Sequence, residues 1–190
     1  HFVDQVAALA HLAAHTTTLR LGTGIVILPQ RNPVVLAKEL ASIDVLSGGR
    51  LEAGFGVGYV PAEFDAVGGP FSERGARMDD HIDALRAMWR GDLEFEGPFT
   101  SWHGVEAHPR PVGPDGPPIH IGGRSPATFR RAVLRGNGWY GFLTTLASTE
   151  AALGNIQRRL SELERPPPLG QIQISVTPSE PVDRDLVRRY

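Results

Sequence analysis

Hydrophobic positions along the chain alternate between helical and strand-like spacing. Residues 1–18 place valine and alanine three and four positions apart, which predicts an amphipathic helix. Residues 19–28 form a short aliphatic and β-branched run that ends at Pro29, which predicts one buried strand. Asn32-Pro33 predicts a helix start, because asparagine caps free backbone N–H groups and proline at the first position needs no N–H partner. We expect that helix to end at Ser47-Gly48-Gly49.

The alternation continues to the end of the chain. The remaining predicted elements are strands at 51–55, 118–121, 139–142 and 171–177, and helices at 73–89, 125–135 and 150–165. Residues 92–117 are irregular and rich in proline and glycine, with a short hairpin expected around Glu94-Phe95 and Phe99-Thr100. A connection of this length is usually a functional loop or lid. Pro166-Pro167-Pro168 predicts a rigid linker.

Strands that alternate with helices predict an α/β protein with a parallel sheet. Both an open doubly wound sheet and a segment of a (β/α)8 barrel fit this order of elements. The 190 residues suit one domain, residues 1–190, with an insertion around 92–117. A whole barrel typically needs about 250 residues. The chain begins His1-Phe2-Val3 without an initiator methionine, so we expect it to be a piece of something longer or a naturally shortened protein.

The net charge and the absence of cysteine limit the kinds of partner and site that the chain is expected to have. A net charge of -2 predicts no binding to nucleic acid or to an anionic membrane, and no apolar run is long enough to span a bilayer. Zero cysteines exclude disulfides, thiolate metal sites and a cysteine nucleophile within this chain, and fit a reducing, cytoplasmic location. His11 and His15 have helical i, i+4 spacing, but no H-E-x-x-H motif accompanies them, so no metal site is predicted.

The most informative motif is Gly122-Gly123-Arg124-Ser125-Pro126, which follows a predicted strand and opens a helix. Glycines let a ligand approach the backbone, and a helix N-terminus presents free N–H groups with partial positive charge. Arg124 adds donors suited to phosphate oxygens. The pattern fits both a phosphate site and an ordinary tight turn with a surface arginine.

Two further glycine-rich segments follow or interrupt strands. The first of them is Gly54-Phe55-Gly56-Val57-Gly58-Tyr59, which lacks the third glycine of a dinucleotide-binding fingerprint. It indicates either a backbone that a flat ligand can approach closely, because side chains are absent, or close helix–strand packing. Glycines on both sides of Thr23 predict a bulge or a ligand contact, with Thr23 itself in the core. No P-loop motif occurs.

Several polar residues receive less specific predictions. His81 lies among aspartates and is expected on a solvated helix face, as is Arg130-Arg131. His103 and His108 fall in the long loop and could reach a substrate, but nothing defines their roles.

The ordered set of these motifs resembles the bacterial luciferase-like monooxygenase family over nearly the whole chain. The residues that carry the resemblance are 19–24, 31–39, 46–51, 54–59 with Glu63-Phe64, the helix 74–89, 122–126 and 136–139. Each segment alone is weak evidence for the family, whereas the whole set in this order is highly specific for it.

The resemblance implies a TIM barrel that binds FMN or the deazaflavin coenzyme F420, with F420-dependent oxidoreductases the closest in style. Thr23, Gly24 and Ile25 would lie against the cofactor ring, and the Gly24–Ile25 bond is cis in several members of the family. Gly58 and Tyr59 would border the ring. Gly122, Gly123, Arg124 and Ser125 would hold the phosphate. Some F420-dependent sugar-phosphate dehydrogenases carry glutamate at the Tyr59 position, so that activity is not expected here.

The resemblance also implies an incomplete barrel, since two strands before residue 1 and the last strand are absent from the chain. The absent strands normally supply residues that face the substrate, so the catalytic residues stay unassigned. The chain is then either a fragment or a protein that covers its edges as a homodimer. The resemblance therefore implies a flavin- or deazaflavin-dependent oxidoreductase of the luciferase-like monooxygenase type, with coenzyme F420-dependent hydride transfer to or from a small-molecule substrate as the function expected and FMN as the alternative cofactor. The alternative is a non-catalytic flavin- or phosphate-binding relative, or an inactive barrel fragment.

Overall fold

A computed structural model describes residues 3–190 and separates them into two compact units, with the boundary after Pro118. His1 and Phe2, the first two positions of the predicted N-terminal helix, lie outside the described residues. None of the helices in residues 3–190 combines the length and apolar character needed to cross a bilayer.

The first unit combines helices with short parallel strands and one antiparallel hairpin. Its helices are α1 (Gln5–His15), α2 (Pro33–Ser47), α3 (Pro61–Ala66) and α4 (Arg74–Arg90), with 3-10 turns at Leu28–Gln30 and Phe71–Glu73. Its strands are β1 (Leu21–Gly22), β2 (Val26–Ile27), β3 (Leu51–Gly56), β4 (Glu94–Glu96) and β5 (Ser101–His103). β4 and β5 form the predicted hairpin, but its second strand is Ser101–His103 rather than Phe99-Thr100. Helix α3 was not predicted.

Helix α2 begins and ends where the local sequence predicts. The Asn32 side chain accepts hydrogen bonds from the N–H groups of Val34 and Val35, at 3.0 and 3.2 Å. Gly48, in the left-handed region with φ 66°, ends the helix. α2 packs against α1, α4 and β3. The fully buried side chains of this core are Leu28, Leu36, Leu40, Ile43, Leu51, Phe55, Phe64, Met78, Ile82 and Leu85.

The predicted strand over residues 19–28 is interrupted. Both β1 and β2 pair in parallel with β3, with Leu21 opposite Leu51 and Val26 opposite Phe55. The segment from Leu21 to Val26 therefore has one residue more than the segment of β3 beside it, from Leu51 to Phe55. The extra residue is accommodated as a bulge at Thr23–Ile25, which agrees with the expectation of a bulge and corrects that of one continuous strand.

The second unit is a three-stranded parallel sheet with helices. Its strands β6 (Ile119–Gly122), β7 (Gly138–Thr144) and β8 (Gln173–Pro178) are adjacent in that order. Its helices are α5 (Pro126–Arg135), α6 (Leu146–Glu162) and α7 (Arg184–Arg189), with a 3-10 turn at Pro167–Leu169. Ile119, Ile121, Ala132, Val133 and Trp139 are fully buried.

Two predictions for this unit need correction. Helix α6 begins at Leu146 rather than at residue 150, because Thr145 and Ser148 form a capping box. Arg131 is buried rather than exposed. The predicted linker at 166–168 lies between two contacts with the unit: Leu169 is buried, and the Arg165 guanidinium donates to five carbonyl oxygens of the unit. Those acceptors belong to Ala132, Val133, Asn137, Leu169 and Gly170, at 2.7–3.5 Å.

Candidate functional site

The bulge at Thr23–Ile25 is joined to β3 by the Thr23 side chain. The Thr23 hydroxyl donates to the carbonyl oxygen of Gly54 and accepts from the Gly54 N–H, both at 2.8 Å. Residue 54 must be glycine, because a Cβ there would collide with the carbonyl oxygen of Thr23. The Gly24–Ile25 peptide bond is cis, as the family resemblance implies. Thr23 is therefore buried, and its hydroxyl positions the backbone of the bulge.

Gly58 and Tyr59 follow the carboxyl end of β3. Gly58 has φ 75°, and a Cβ on it would lie 2.7 Å from Ile27 Cγ2 and 2.9 Å from Phe64 Cε2. Close packing against Ile27 and Phe64 therefore accounts for the glycine at position 58, and it is one of the two interpretations of this motif. The Tyr59 side chain is 87% exposed.

The turn from Gly122 to Ser125 joins the carboxyl end of β6 to the first turn of α5. Gly123 has φ 123°, a conformation that favours glycine. Ser125 caps α5, since its Oγ accepts from the Thr128 N–H at 3.2 Å. Residues 123–125 are exposed, so a ligand can reach this turn.

Arg124 contacts the carboxyl end of β7. Its Nη2 donates to the carbonyl oxygens of Phe142 and Leu143, at 2.6 and 2.9 Å. Leu143 has φ 47°, the one non-glycine residue with positive φ in the described part of the chain. Phe142 and Leu143 are also more than half exposed. Arg124 therefore holds an exposed, left-handed segment beside the Gly122–Ser125 turn.

Phe142 and Leu143 were not among the predicted site residues. The sequence places Phe142 at the end of a weak strand and shows no signal for the left-handed conformation that follows it. The nearest indication in the sequence is that two apolar residues precede Thr144 and the Thr145 cap.

The predicted histidines occupy different environments. His103 Nε2 lies 2.9 Å from Glu96 Oε1 across the hairpin, and both side chains are exposed. The His11 and His15 rings have centroids 4.3 Å apart and are tilted by 32° to each other. Within residues 3–190, no cluster of three or more histidine, aspartate or glutamate side chains could hold a metal ion.

His81 is the main correction among the polar residues. It is 4% exposed, not on a solvated face, and its Nδ1 lies 3.3 Å from the carbonyl oxygen of Leu28. Burial lowers its pKa from the usual value of 6.5. Neighbouring Asp80 is buried as well. Helix α4 is packed on more sides than its sequence pattern indicates.

A model of the luciferase-like monooxygenase family matches residues 1–185. The chain belongs to this family. The oxygenase component of a flavin-dependent trigonelline monooxygenase from Acinetobacter baylyi is 35% identical over 130 residues, which cover 67% of this chain and 36% of that protein. The chain spans about half the length of the first curated relatives it matches.

Solved structures confirm the fold class. Monooxygenase RslO1 from Streptomyces bottropensis has a TM-score of 0.77 and 30% identity, over 92% of this chain and 56% of that one. A coenzyme F420-dependent tetrahydromethanopterin reductase from Methanopyrus kandleri also has a TM-score of 0.77, at 23% identity, over 92% of this chain and 54% of that one. The predicted α/β, TIM-barrel type of fold, present in part, is therefore confirmed.

Proposed function

We propose that this chain is the cofactor-binding part of a flavin- or deazaflavin-dependent oxidoreductase, and that the Gly122–Ser125 turn binds the cofactor phosphate. The observation that carries the proposal is the exposed turn at the N-terminus of α5. A helix N-terminus attracts anions, and Arg124 adds positive charge at the same place.

The residues present fit a phosphate. Gly123 has no side chain to obstruct the approach of a ligand, and its conformation favours glycine. Pro126 has no N–H, and the Thr128 N–H is already bonded to Ser125 Oγ. The first-turn donor that the helix geometry leaves for a ligand is therefore the Ala127 N–H. The backbone at 124–127 would bind the phosphate, and Arg124 would contribute mainly its charge, since Nη2 is bonded to carbonyl oxygens.

Within the first unit, the bulge at Thr23–Ile25 is the segment that the family resemblance assigns to the cofactor ring. Thr23 cannot donate to the ring while its hydroxyl is bonded to Gly54 in both directions. It would instead hold the bulge backbone in place, with the Ile25 side chain available for contact with the ring. The bound cofactor would supply hydride transfer or oxygen activation, and the protein would bind it, orient it and exclude water.

Two cofactors are candidates. Coenzyme F420 with hydride transfer is the first, supported by the fold shared with an F420-dependent reductase. FMN with oxygenation is the second, and the 35% identity to a flavin-dependent monooxygenase favours it. Both carry a phosphate, so the Gly122–Ser125 turn serves either. The substrate would be a small molecule.

The test is a fluorescence titration of the chain with F420 and with FMN, with riboflavin as the ligand that matches FMN but lacks its phosphate. We expect saturable micromolar binding of F420 or FMN, and binding of riboflavin at least about tenfold weaker, which corresponds to roughly 1.4 kcal/mol. Gly123→Val should weaken binding of the phosphorylated ligand and leave that of riboflavin unchanged.

Absence of binding by a chain shown to be folded by circular dichroism would contradict the proposal. Equal affinity for FMN and riboflavin would contradict the assignment of the phosphate to the Gly122–Ser125 turn. Turnover with reduced F420 or reduced FMN then distinguishes an oxidoreductase from a non-catalytic binding protein.

A further inference from the structure

The first unit contains a second candidate binding site, an open cavity of about 500 Å³ beside the start of α2. Its wall consists of residues 29–34, residues 67–69 after α3, Arg77 and His81 of α4, and residues 99–101 at the tip of the hairpin. A volume of this size is typical of small-molecule sites. The cavity contains none of the residues proposed to bind the cofactor.

The charged side chains in the wall of the cavity are all basic. Arg31 and Arg77 belong to the wall, and none of its lining residues, all within residues 3–190, is an aspartate or a glutamate. Pro33 and Val34 of the wall form the first turn of α2, which carries the positive end of the helix dipole. An anion that enters the cavity therefore meets positive charge and no carboxylate in the wall.

Both arginines are held by a carboxylate that lies outside the wall. Arg77 Nε and Nη2 lie 3.1 and 2.9 Å from Glu73 Oε2, and Arg31 Nη2 lies 3.2 Å from Asp4 Oδ2. The four side chains are 27–52% exposed, so water screens both ion pairs and leaves them weak. Within residues 3–190, neither Nη1 group makes a hydrogen bond. Each arginine therefore keeps a donor for a ligand.

Neutral donors are also present in the wall. Thr100 and Ser101 line the cavity, and their hydroxyls make no hydrogen bond to other residues in the described part of the chain. The Oδ1 atom of Asn32 already accepts from the N–H groups of Val34 and Val35, so this side chain offers a ligand its amide N–H groups. The wall is therefore richer in hydrogen-bond donors than in acceptors, which favours a ligand with acceptor oxygens.

The hairpin tip that carries the hydroxyls is fixed to α4. The Phe99 N–H donates to Oδ1 of buried Asp80 at 3.4 Å, and the Arg77 guanidinium lies 4.6 Å from the centroid of the Phe99 ring. Residue 97 is glycine where the hairpin meets this carboxylate, and a Cβ on it would collide with Asp80 Oδ1. This part of the wall is therefore packed against the helix that carries Arg77.

We propose that this cavity binds a small organic carboxylate, with Arg31 and Arg77 as the charged donors to its oxygens and the hydroxyls of the hairpin tip as neutral donors. A singly charged anion suits the wall better than a doubly charged phosphate, because the carboxylate partner of each arginine offsets part of its charge. An amide of the same shape carries no charge and should bind more weakly. The site lies within the first unit, and it stands whether or not the Gly122–Ser125 turn binds a cofactor.

The test is NMR of the 15N-labelled chain during titration with benzoate and with benzamide, which has a similar shape and no charge. Benzoate should move the amide resonances of residues 67–69 and 99–101 to saturation, and benzamide should bind there at least about fivefold more weakly. Raising the salt concentration from about 0.1 M to about 1 M should weaken benzoate binding, because the Debye length falls from about 10 to about 3 Å. The amide resonances of residues 150–160, in the second unit, are the internal control.

Two variants with opposite expected effects test the role of Arg77. Arg77→Gln should lower the affinity for benzoate about fivefold or more. Glu73→Gln releases Arg77 from its ion pair and should raise that affinity about two- to fivefold. Asp92→Asn is the matched control for Glu73→Gln, since Asp92 pairs with Arg90 at the C-terminal end of α4, outside the cavity.

Equal affinities for benzoate and benzamide, or benzoate shifts confined to residues outside the cavity, would overturn the proposal. An unchanged affinity for benzoate in a folded Glu73→Gln variant would also overturn it.

Discussion

Arg124 offers the sharpest test of how the candidate phosphate site is built. If Arg124 acts by holding Leu143 in its left-handed conformation, the two residues are energetically coupled. If it acts as a free phosphate ligand, they are not. The variants Arg124→Met and Leu143→Gly, alone and combined, form a double-mutant cycle that separates these cases.

The magnitudes follow from the contacts. Arg124→Met removes two hydrogen bonds to exposed carbonyl oxygens, which should cost about 1–2 kcal/mol in the free energy of unfolding. Leu143→Gly removes a left-handed penalty of about 1–2 kcal/mol for leucine, offset by a backbone entropy cost of about 0.5–1 kcal/mol for glycine. That single change should therefore be nearly neutral. With glycine at 143 the segment no longer needs restraint, so the double variant should be about 0.5–1 kcal/mol more stable than the sum of the single changes predicts.

Urea unfolding followed by circular dichroism measures the cycle, with Arg158→Met on the exposed face of α6 as the matched control. The same variants are titrated with the cofactor that binds. Leu143→Gly should restore part of the affinity that Arg124→Met loses. Additive stabilities, within about 0.3 kcal/mol, would refute the coupling. Affinity that is lost and not restored would mark Arg124 as a direct phosphate ligand.

Three further changes test the structure around the sites. Gly54→Ala should lower the free energy of unfolding by more than about 2 kcal/mol or prevent folding, whereas Gly154→Ala, with open space around it, should raise it by about 0.5–1 kcal/mol in urea unfolding. Arg165→Met should cost about 3 kcal/mol by the same assay, because five carbonyl oxygens lose a charged donor; a cost below about 1 kcal/mol would contradict this. Burial lowers the His81 pKa, so the unfolded chain binds the proton more tightly, and stability should fall as the pH falls below about 6.5. His81→Phe should flatten that part of the stability profile, and an unchanged slope would assign it to other groups.

Elements defined by local capping could be predicted from the sequence. The starts of α2 at Asn32 and of α5 at Ser125 are in the predicted places, and each capping side chain makes the expected hydrogen bond. A cap works within three residues of chain, so its signal is complete in the sequence. The end of α4 at Gly91 follows the same rule.

Features that depend on distant parts of the chain were predicted incompletely or not at all. The glycines beside Thr23 predicted a bulge or a ligand contact, but not the hydrogen bonds to Gly54, 31 residues away, at the point where β1 and β2 are interrupted. Charge pattern placed His81 on a solvated face, yet contact with the 3-10 turn after β2 buries it. Arg131 is buried for a similar reason, since α5 packs against α6 and the sheet of its unit. Amphipathic pattern identifies one buried face of a helix, but not a second face that another element covers.

The candidate phosphate site contains both a feature that could be predicted from the local sequence and one that could not. Glycine and serine at 122–125 predict backbone geometry, and the structure has that geometry because conformational freedom and capping are properties of the residues themselves. What Arg124 does is decided by the carbonyl oxygens at 142 and 143, 18 and 19 positions along the chain. An arginine beside a helix N-terminus therefore has two competing partners, an external phosphate and the chain's own carbonyls. A ligand that binds Arg124 Nη2 directly would compete with the carbonyl oxygens of Phe142 and Leu143. The proposed binding of phosphate by the turn would then be linked, through the Arg124 side chain, to order at the end of β7.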